Sequence, residues 1–147
     1  MVNEPIYLKG KIHLILKDEN GITKQEFEKD NLVVQAGKNY VASAMIINAT
    51  TPFISMAVGT GTASPTSGDT ALQAEVNRQL FQSTSQTASA VTMIGFYGAG
   101  VATAALTEAG IFNNATTGGT MLSRIVFAAV NKAASDTLTI TWTVTLS

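Results

Sequence analysis

The sequence has no cysteine and only one histidine among its 147 residues. The absence of cysteine excludes a disulfide framework and thiolate metal sites. His13 cannot form a metal site alone, because such a site needs several converging ligands, so we predict a solvated strand histidine and no bound metal or cofactor. No Ser-His-acid set can be assembled, and no serine lies in a G-x-S-x-G motif. These absences argue against an enzyme.

Charged residues are also scarce, at 13% of the chain, about half the usual share. A net charge of -1 creates no field that would attract nucleic acid or an anionic membrane, so we expect neither as a partner. The apolar runs are too short for a membrane-spanning helix, and lysines interrupt the stretch that a signal peptide would occupy. We therefore expect a soluble protein that is synthesised in the cytoplasm without an export signal.

The few charges are unevenly placed. Twelve of the nineteen lie in residues 1–38, whereas threonine and serine contribute thirty residues to the chain. A free monomer usually keeps a well-charged surface for solubility. A neutral surface rich in hydroxyl groups fits either an ordinary β-domain or a subunit packed among neighbours, and both interpretations stay open.

The clearest pattern that is present is the C-terminal run 137–147, TLTITWTVTLS. Apolar residues alternate with threonines, which is typical of a half-buried β-strand because successive side chains point to opposite faces. Residues 6–17 alternate in the same way. Asn20-Gly21 follows and predicts a tight hairpin in which both residues have positive φ. The returning strand, 22–29, is mostly charged and predicts a solvent-facing edge.

The rest of the chain predicts a mainly β fold, an antiparallel β-sandwich of the jelly-roll type in a single domain, 1–147. One short α-helix is expected near 36–47. Residues 31–147 would form the sandwich body, and the N-terminal β-hairpin, 1–30, would stand apart as an arm. The predicted core comprises Tyr40, Val41, Phe96, Phe112, Phe127, Leu138, Ile140, Trp142 and Val144. The arm offers candidate subunit contacts, namely Ile6, Tyr7, Lys9, Lys11, His13, Lys17 and Phe27.

Gly59 and Gly61 lack the following lysine of a phosphate-binding loop, so we expect turn glycines with positive φ. The acids outside the arm are too scattered to predict the paired carboxylates of a glycosidase. Glu108 is instead expected to pair with Arg78 or Arg124 inside the fold, where such a pair would position the loops.

Several phrases of the sequence occur in an order that resembles a group of small structural proteins of tailed bacteriophages. They are NLVVQAGKNYVASAM (31–45), ISMAVGTGTASPTSGDTAL (54–72), Arg78, LTEAGIFN (106–113) and GTMLSRIVFAAVNKAASDTLTITWTVTLS (119–147). The resemblance covers residues 31–147 and includes no catalytic motif. It implies a non-enzymatic β-sandwich built into a virus particle, either decorating the head or belonging to a tail fibre or baseplate.

Because the sequence shows no fibre shaft or receptor-binding domain after the predicted sandwich, we expect a capsid decoration, or cement, protein on the virion surface. Its partner would be the major capsid protein, and it would act as a homo-oligomer, expected to be a trimer, that clamps neighbouring capsomers. A tail, baseplate or tail-fibre adaptor is the alternative. A carbohydrate-binding module on the virion is a further one, and it would require exposed aromatic side chains on one sheet face.

Overall fold

The computed structural model describes residues 6–47 and 51–147. Within them the chain forms nine β-strands and one α-helix. In chain order these are β1 (Leu8–Lys17), β2 (Thr23–Val33), α1 (Gln35–Ala44), β3 (Ser55–Gly59), β4 (Glu75–Leu80), β5 (Ser83–Thr87), β6 (Ala90–Tyr97), β7 (Ala104–Phe112), β8 (Met121–Lys132) and β9 (Thr137–Leu146). The prediction of a mainly β fold with one short helix and an N-terminal hairpin is confirmed.

The strands form one curled antiparallel sheet in the order β4-β3-β7-β8-β2-β1-β9-β6-β5. Strand β2 joins two halves, because its residues 23–31 pair with β1 whereas Leu32 and Val33 pair with β8. We call β5, β6, β9, β1 and residues 23–31 of β2 half A, and the end of β2 with β8, β7, β3 and β4 half B. Only Phe81 and Gln82 connect β4 to β5, so the chain passes from one half to the other within two residues.

The core lies between the two halves. Alternation places one side of each strand inward, and β9 supplies Leu138, Ile140, Trp142 and Val144, all buried. Trp142 lies opposite Ile12 of β1 and Met93 of β6 in the strand register. Phe127 of β8 is also buried there and contacts the half-buried Phe27 at a ring-centroid distance of 5.6 Å. Burial of these apolar side chains is the main source of stability for the sandwich.

Three of the predicted core residues are not fully buried. Phe96 is 39% exposed and points to the outer face of half A, so that prediction is wrong. Its neighbour Tyr97 is buried instead, and its hydroxyl donates a 2.6 Å hydrogen bond to the Met56 carbonyl oxygen. Val41 is half-buried at the edge of the core, and Tyr40 is half-buried against Phe53. Helix α1 begins one residue before the predicted start and ends at Ala44 rather than at residue 47.

The N-terminal hairpin is not a separate arm. Strand β1 lies between β2 and β9, and pairs with β9 along its whole length from Leu8 to Lys17. Its inward residues Ile12, Leu14 and Leu16 are buried in the core. An alternating strand must bury its apolar side, and the body of the fold provides that burial. Residues 1–5 of the predicted arm lie outside the described residues.

The hairpin turn forms at Asn20-Gly21, but only Gly21 has positive φ, at 77°. The carboxylate of Asp18 accepts hydrogen bonds from the backbone N–H groups of Asn20 and Ile22, at 2.9 and 3.0 Å. The turn is therefore longer than the two-residue turn that the sequence predicts, and a side chain stabilises it.

Candidate interaction surface

The outer faces of the two halves differ. Half B is covered by α1 and by residues 60–74, and a second apolar cluster fills the space beneath them: Val34, Ala57, Leu72, Phe112 and Met121. On half A the outward side chains are exposed or half-buried, and no described element packs on them. An uncovered sheet face of this size is the part of the molecule best suited to contact a partner.

The part of this uncovered face that β5, β6 and β9 form carries mostly hydroxyl side chains, together with Ile94 and the exposed Phe96. The register places Thr143 beside Thr92, and Thr92 beside Ser85, across three neighbouring strands. We call this surface the hydroxyl face; its members are Ser83, Ser85, Thr87, Thr92, Thr139, Thr141, Thr143 and Thr145. Short hydroxyl side chains lose little conformational entropy when they are buried. Such a face can therefore pack against a flat neighbour at small entropic cost.

A charged band borders the hydroxyl face along β1 and β2. Lys11 pairs with Glu28 at 2.7 Å, and Nε2 of His13 lies 2.7 Å from a carboxylate oxygen of Glu26. An open groove of about 560 Å³ follows the band and is lined in part by Lys9, Lys11, His13, Glu28, Thr141 and Thr143. One outward face of β1 carries four of the candidate contact residues: Lys9, Lys11, His13 and Lys17. They lie on a central strand of the sheet, between β2 and β9, and not on a separate arm. Both Ile6 and Tyr7 are exposed beyond its start.

On half B the side chains of Glu108 and Arg124 form a buried ion pair. Glu108 is fully buried and Arg124 is 2% exposed. Arg124 Nε and Nη2 donate to one carboxylate oxygen of Glu108 at 3.1 and 2.8 Å, and Nη1 donates to Asp69 at 3.0 Å. Of the two predicted partners of Glu108, the structure therefore identifies Arg124. Asp69, which also bonds to Thr66, was not anticipated.

The carboxylate of Glu108 is saturated with donors. The backbone N–H groups of Gly61, Gln73 and Ala74 donate to it at 3.0, 3.0 and 2.7 Å. Burial by itself would raise the pKa of Glu108, but the N–H of Ala74, the Arg124 guanidinium and the other two N–H groups hold the pKa below its ordinary value of 4.5. The ionised carboxylate therefore fixes both ends of the 60–74 loop to the sheet.

Gly59 and Gly61 are explained by the same carboxylate. Neither has the positive φ that the sequence suggested. A Cβ atom on Gly59 would lie 2.6 Å from Oε1 of Glu108, and one on Gly61 would lie 2.5 Å from the same oxygen. These glycines therefore make room for a buried acid. In the sequence, two glycines two residues apart were the feature that could have indicated a buried side chain beside them.

Arg78 anchors a second loop. Its side chain is 4% exposed, pairs with Glu75 at 2.7 Å, and lies with its guanidinium carbon 3.9 Å from the ring centre of Phe112. Nη1 also donates to the carbonyl oxygens of Asn114 and Gly118, at 3.1 and 2.8 Å. The glycine-rich segment after β7 is thereby fixed against β4.

A third polar cluster joins β2 to the β8–β9 connection. Nζ of Lys24 donates to Asp136 at 2.7 Å, and Asp136 also accepts from the N–H of Ala133 at 2.9 Å. These two donors lower the pKa of Asp136. Lys132 is buried, and its Nζ donates to the Gly98 carbonyl oxygen at 2.9 Å. All seven charged residues beyond residue 38 thus take part in contacts that hold loops and connections.

Among residues 6–47 and 51–147, no group of three His, Cys, Asp or Glu side chains could hold a metal ion. In the same part of the chain, no helix is long and apolar enough to cross a membrane. The polar side chains that cluster are paired with one another and with backbone groups. These contacts hold the loops against the sheet.

Comparisons with known proteins add no relative. No family model matches the chain, and neither a curated protein nor a solved structure shows significant similarity to it.

Proposed function

We propose that the chain is a non-enzymatic structural subunit of a tailed-bacteriophage particle, and specifically a capsid decoration protein on the virion surface. Its partner is then the major capsid protein, to which homo-oligomers bind after the shell has assembled. A protein that binds only the assembled shell stabilises it by linkage. The assignment to a phage particle, and with it the choice of partner, rests on the sequence resemblance.

The observation that carries the proposal is the uncovered hydroxyl face of half A. The outer face of half B is closed by loops that the Glu108–Arg124 pair and Arg78 hold in place. The result is a sandwich in which the uncovered side of half A carries an uncharged region, the hydroxyl face, beside the charged band of β1 and β2. Interface cores are depleted in charged residues, which this face matches. A neutral face is suited to a permanent place beside a neighbouring subunit.

The N-terminal hairpin cannot be tested as a separate contact arm by deleting it. Deletion of residues 1–30 would remove β1 and with it Ile12, Leu14 and Leu16 of the core. The shortened chain would fail to fold, and a loss of binding would say nothing about an arm. Substitutions on the hydroxyl face are the appropriate probe.

The test uses particles of the phage that encodes the chain. Immunogold labelling of purified particles should place the protein on the head; label on the tail would favour the adaptor function, and unlabelled particles would overturn a virion role. Purified Thr141→Glu/Thr143→Glu protein should then occupy shells that lack the native subunit at a clearly lower level. Thr62→Glu and Thr117→Glu are matched controls, since both positions are exposed on the half B side. These controls should bind like the parent.

A further inference from the structure

Strand β5 is an unprotected sheet edge. All five of its residues, Ser83–Thr87, are exposed, and within the described residues its strand neighbour is β6 alone. One side of its backbone is therefore free to hydrogen-bond with another strand. Natural proteins usually shield such edges with charged residues or proline, because an open edge pairs with other chains.

This edge carries neither kind of protection. No charged residue, no histidine and no proline occurs between Gln79 and Thr107, a stretch that contains β5, β6 and their turn. The opposite edge of the sheet differs, because β4 contains the Glu75–Arg78 ion pair. The absence of charge is thus specific to one of the two edges, which points to an edge that is meant to be paired.

We infer that β5 pairs antiparallel with β5 of a second copy of this chain, so that half A continues across a two-fold axis. A second copy brings an identical strand, and a two-fold axis at Ser85 places Ser83 opposite Thr87 and Thr84 opposite Gln86. Every cross-strand pair then consists of hydroxyl or amide side chains, and no like charges meet. Such an isologous contact is the commonest kind between identical subunits.

The groove beside β5 supports the same contact. It has a volume of about 410 Å³ and is mostly apolar, with Thr84 of β5 at its rim and Val91, Met93, Phe53 and Leu146 among its walls. Val91 and Leu146 are 37% and 42% exposed. A strand added at the edge extends the wall of this groove and shields apolar surface that is open to solvent in one copy. Because the contact is two-fold, the groove of each copy is shielded by the β5 strand of the other.

The chain lacks cysteine, which makes cross-linking a clean test. Directly opposite residues of an antiparallel pair have Cα atoms about 4.5–5.5 Å apart, within the roughly 4.4–6.8 Å of a disulfide. Ser85→Cys should therefore form a covalent dimer rapidly under mild oxidation, whereas the exposed loop variant Ser64→Cys should not. Equal rates at both positions, or no cross-link at Ser85, would overturn the inference.

Sedimentation analysis of the unmodified chain should give a dimer. Ser85→Glu places two carboxylates opposite each other and should raise the dimer dissociation constant about tenfold or more, whereas Ser64→Glu should leave it unchanged. A monomer at about millimolar concentration, or the trimer expected for a capsid decoration protein, would overturn the two-fold contact. The β5 contact rests on the proposed function only in that the dimer is placed on a phage particle. Dimers that never bind particles would refute the capsid role alone, and particle-bound monomers would refute the β5 contact alone.

Discussion

Arg124 reaches past Gly110, its partner in the strand register, to bind Glu108, which lies two residues earlier in β7. A Cβ atom on Gly110 would instead meet the apolar cluster beneath the loop, with its nearest neighbour, a methyl carbon of Leu72, at 3.0 Å. The ion pair thus links β7 and β8 diagonally and not directly across the register. Its function is to hold residues 60–74 over half B, which leaves half A as the free face.

Replacing Glu108 with Gln should lower the free energy of unfolding by about 3 kcal/mol, because Arg124 then keeps only Asp69 as a charged partner and an amide N–H₂ faces other donors. Urea unfolding followed by circular dichroism measures this. Glu28→Gln is the matched control, since Glu28 belongs to an exposed pair with Lys11 and its loss should cause little change. Equal effects at both positions would contradict a structural role for the buried pair.

Stability should fall in acid because of the same carboxylates. Burial would raise the pKa of Asp69, but Thr66 and Arg124 outweigh it, so its pKa in the folded chain is below the ordinary 3.8, as that of Glu108 is below 4.5. Groups with a depressed folded pKa contribute stability above their unfolded pKa and lose it as the pH drops through the folded pKa. Urea midpoints should thus be flat near neutrality and decline below these ordinary values. Glu108→Gln should have a shallower decline; an unchanged slope would exclude Glu108 as a contributor.

Trp142→Ala should cost about 3–5 kcal/mol of unfolding free energy, because the side chain is fully buried. Phe96→Ala provides the comparison on the next strand, and should cost below about 1 kcal/mol, since Phe96 is on the outer face. Thermal and chemical unfolding measure both. Similar losses of unfolding free energy for the two variants would contradict the assignment of Trp142 to the inner face and Phe96 to the outer face.

Gly37→Ala should destabilise the fold although alanine is the better helix former by about 1 kcal/mol. A Cβ atom on Gly37 would overlap the backbone of Leu122 in β8, so α1 would have to move away from half B. Gly68→Ala is a suitable control because no atom lies within 4 Å of the added Cβ. A gain in melting temperature for Gly37→Ala would show that the helix does not pack as described.

Alternation revealed the strands with one polar side and failed where both sides are apolar. In β9, threonines mark the outer side and make the inward direction of Trp142 readable from the sequence. In β6, Ile94 and Phe96 lie on the outer face and Met93 and Tyr97 on the inner one, so the pattern does not distinguish the faces. Register with β9 decides between them, and that register is a long-range property.

Long-range pairing also explains the other errors. The pattern of β1 shows that one side is apolar, but it does not show that β9 covers its flank. Likewise, the choice of Arg124 over Arg78 as partner of Glu108 depends on the pairing of β7 with β8. The open edge at β5 could be suspected from its lack of charge, but only the strand order shows that it lies at an edge.

The pairing of Leu8–Lys17 with Thr137–Leu146 has a consequence for biosynthesis. Half A cannot close until β9 has left the ribosome, so the apolar side of β1 stays uncovered by β9 while all the strands between them are translated. Contacts of such sequence separation are formed slowly, because loop closure comes before any gain from pairing. We expect the charged residues of the first hairpin to keep the nascent chain soluble during that delay.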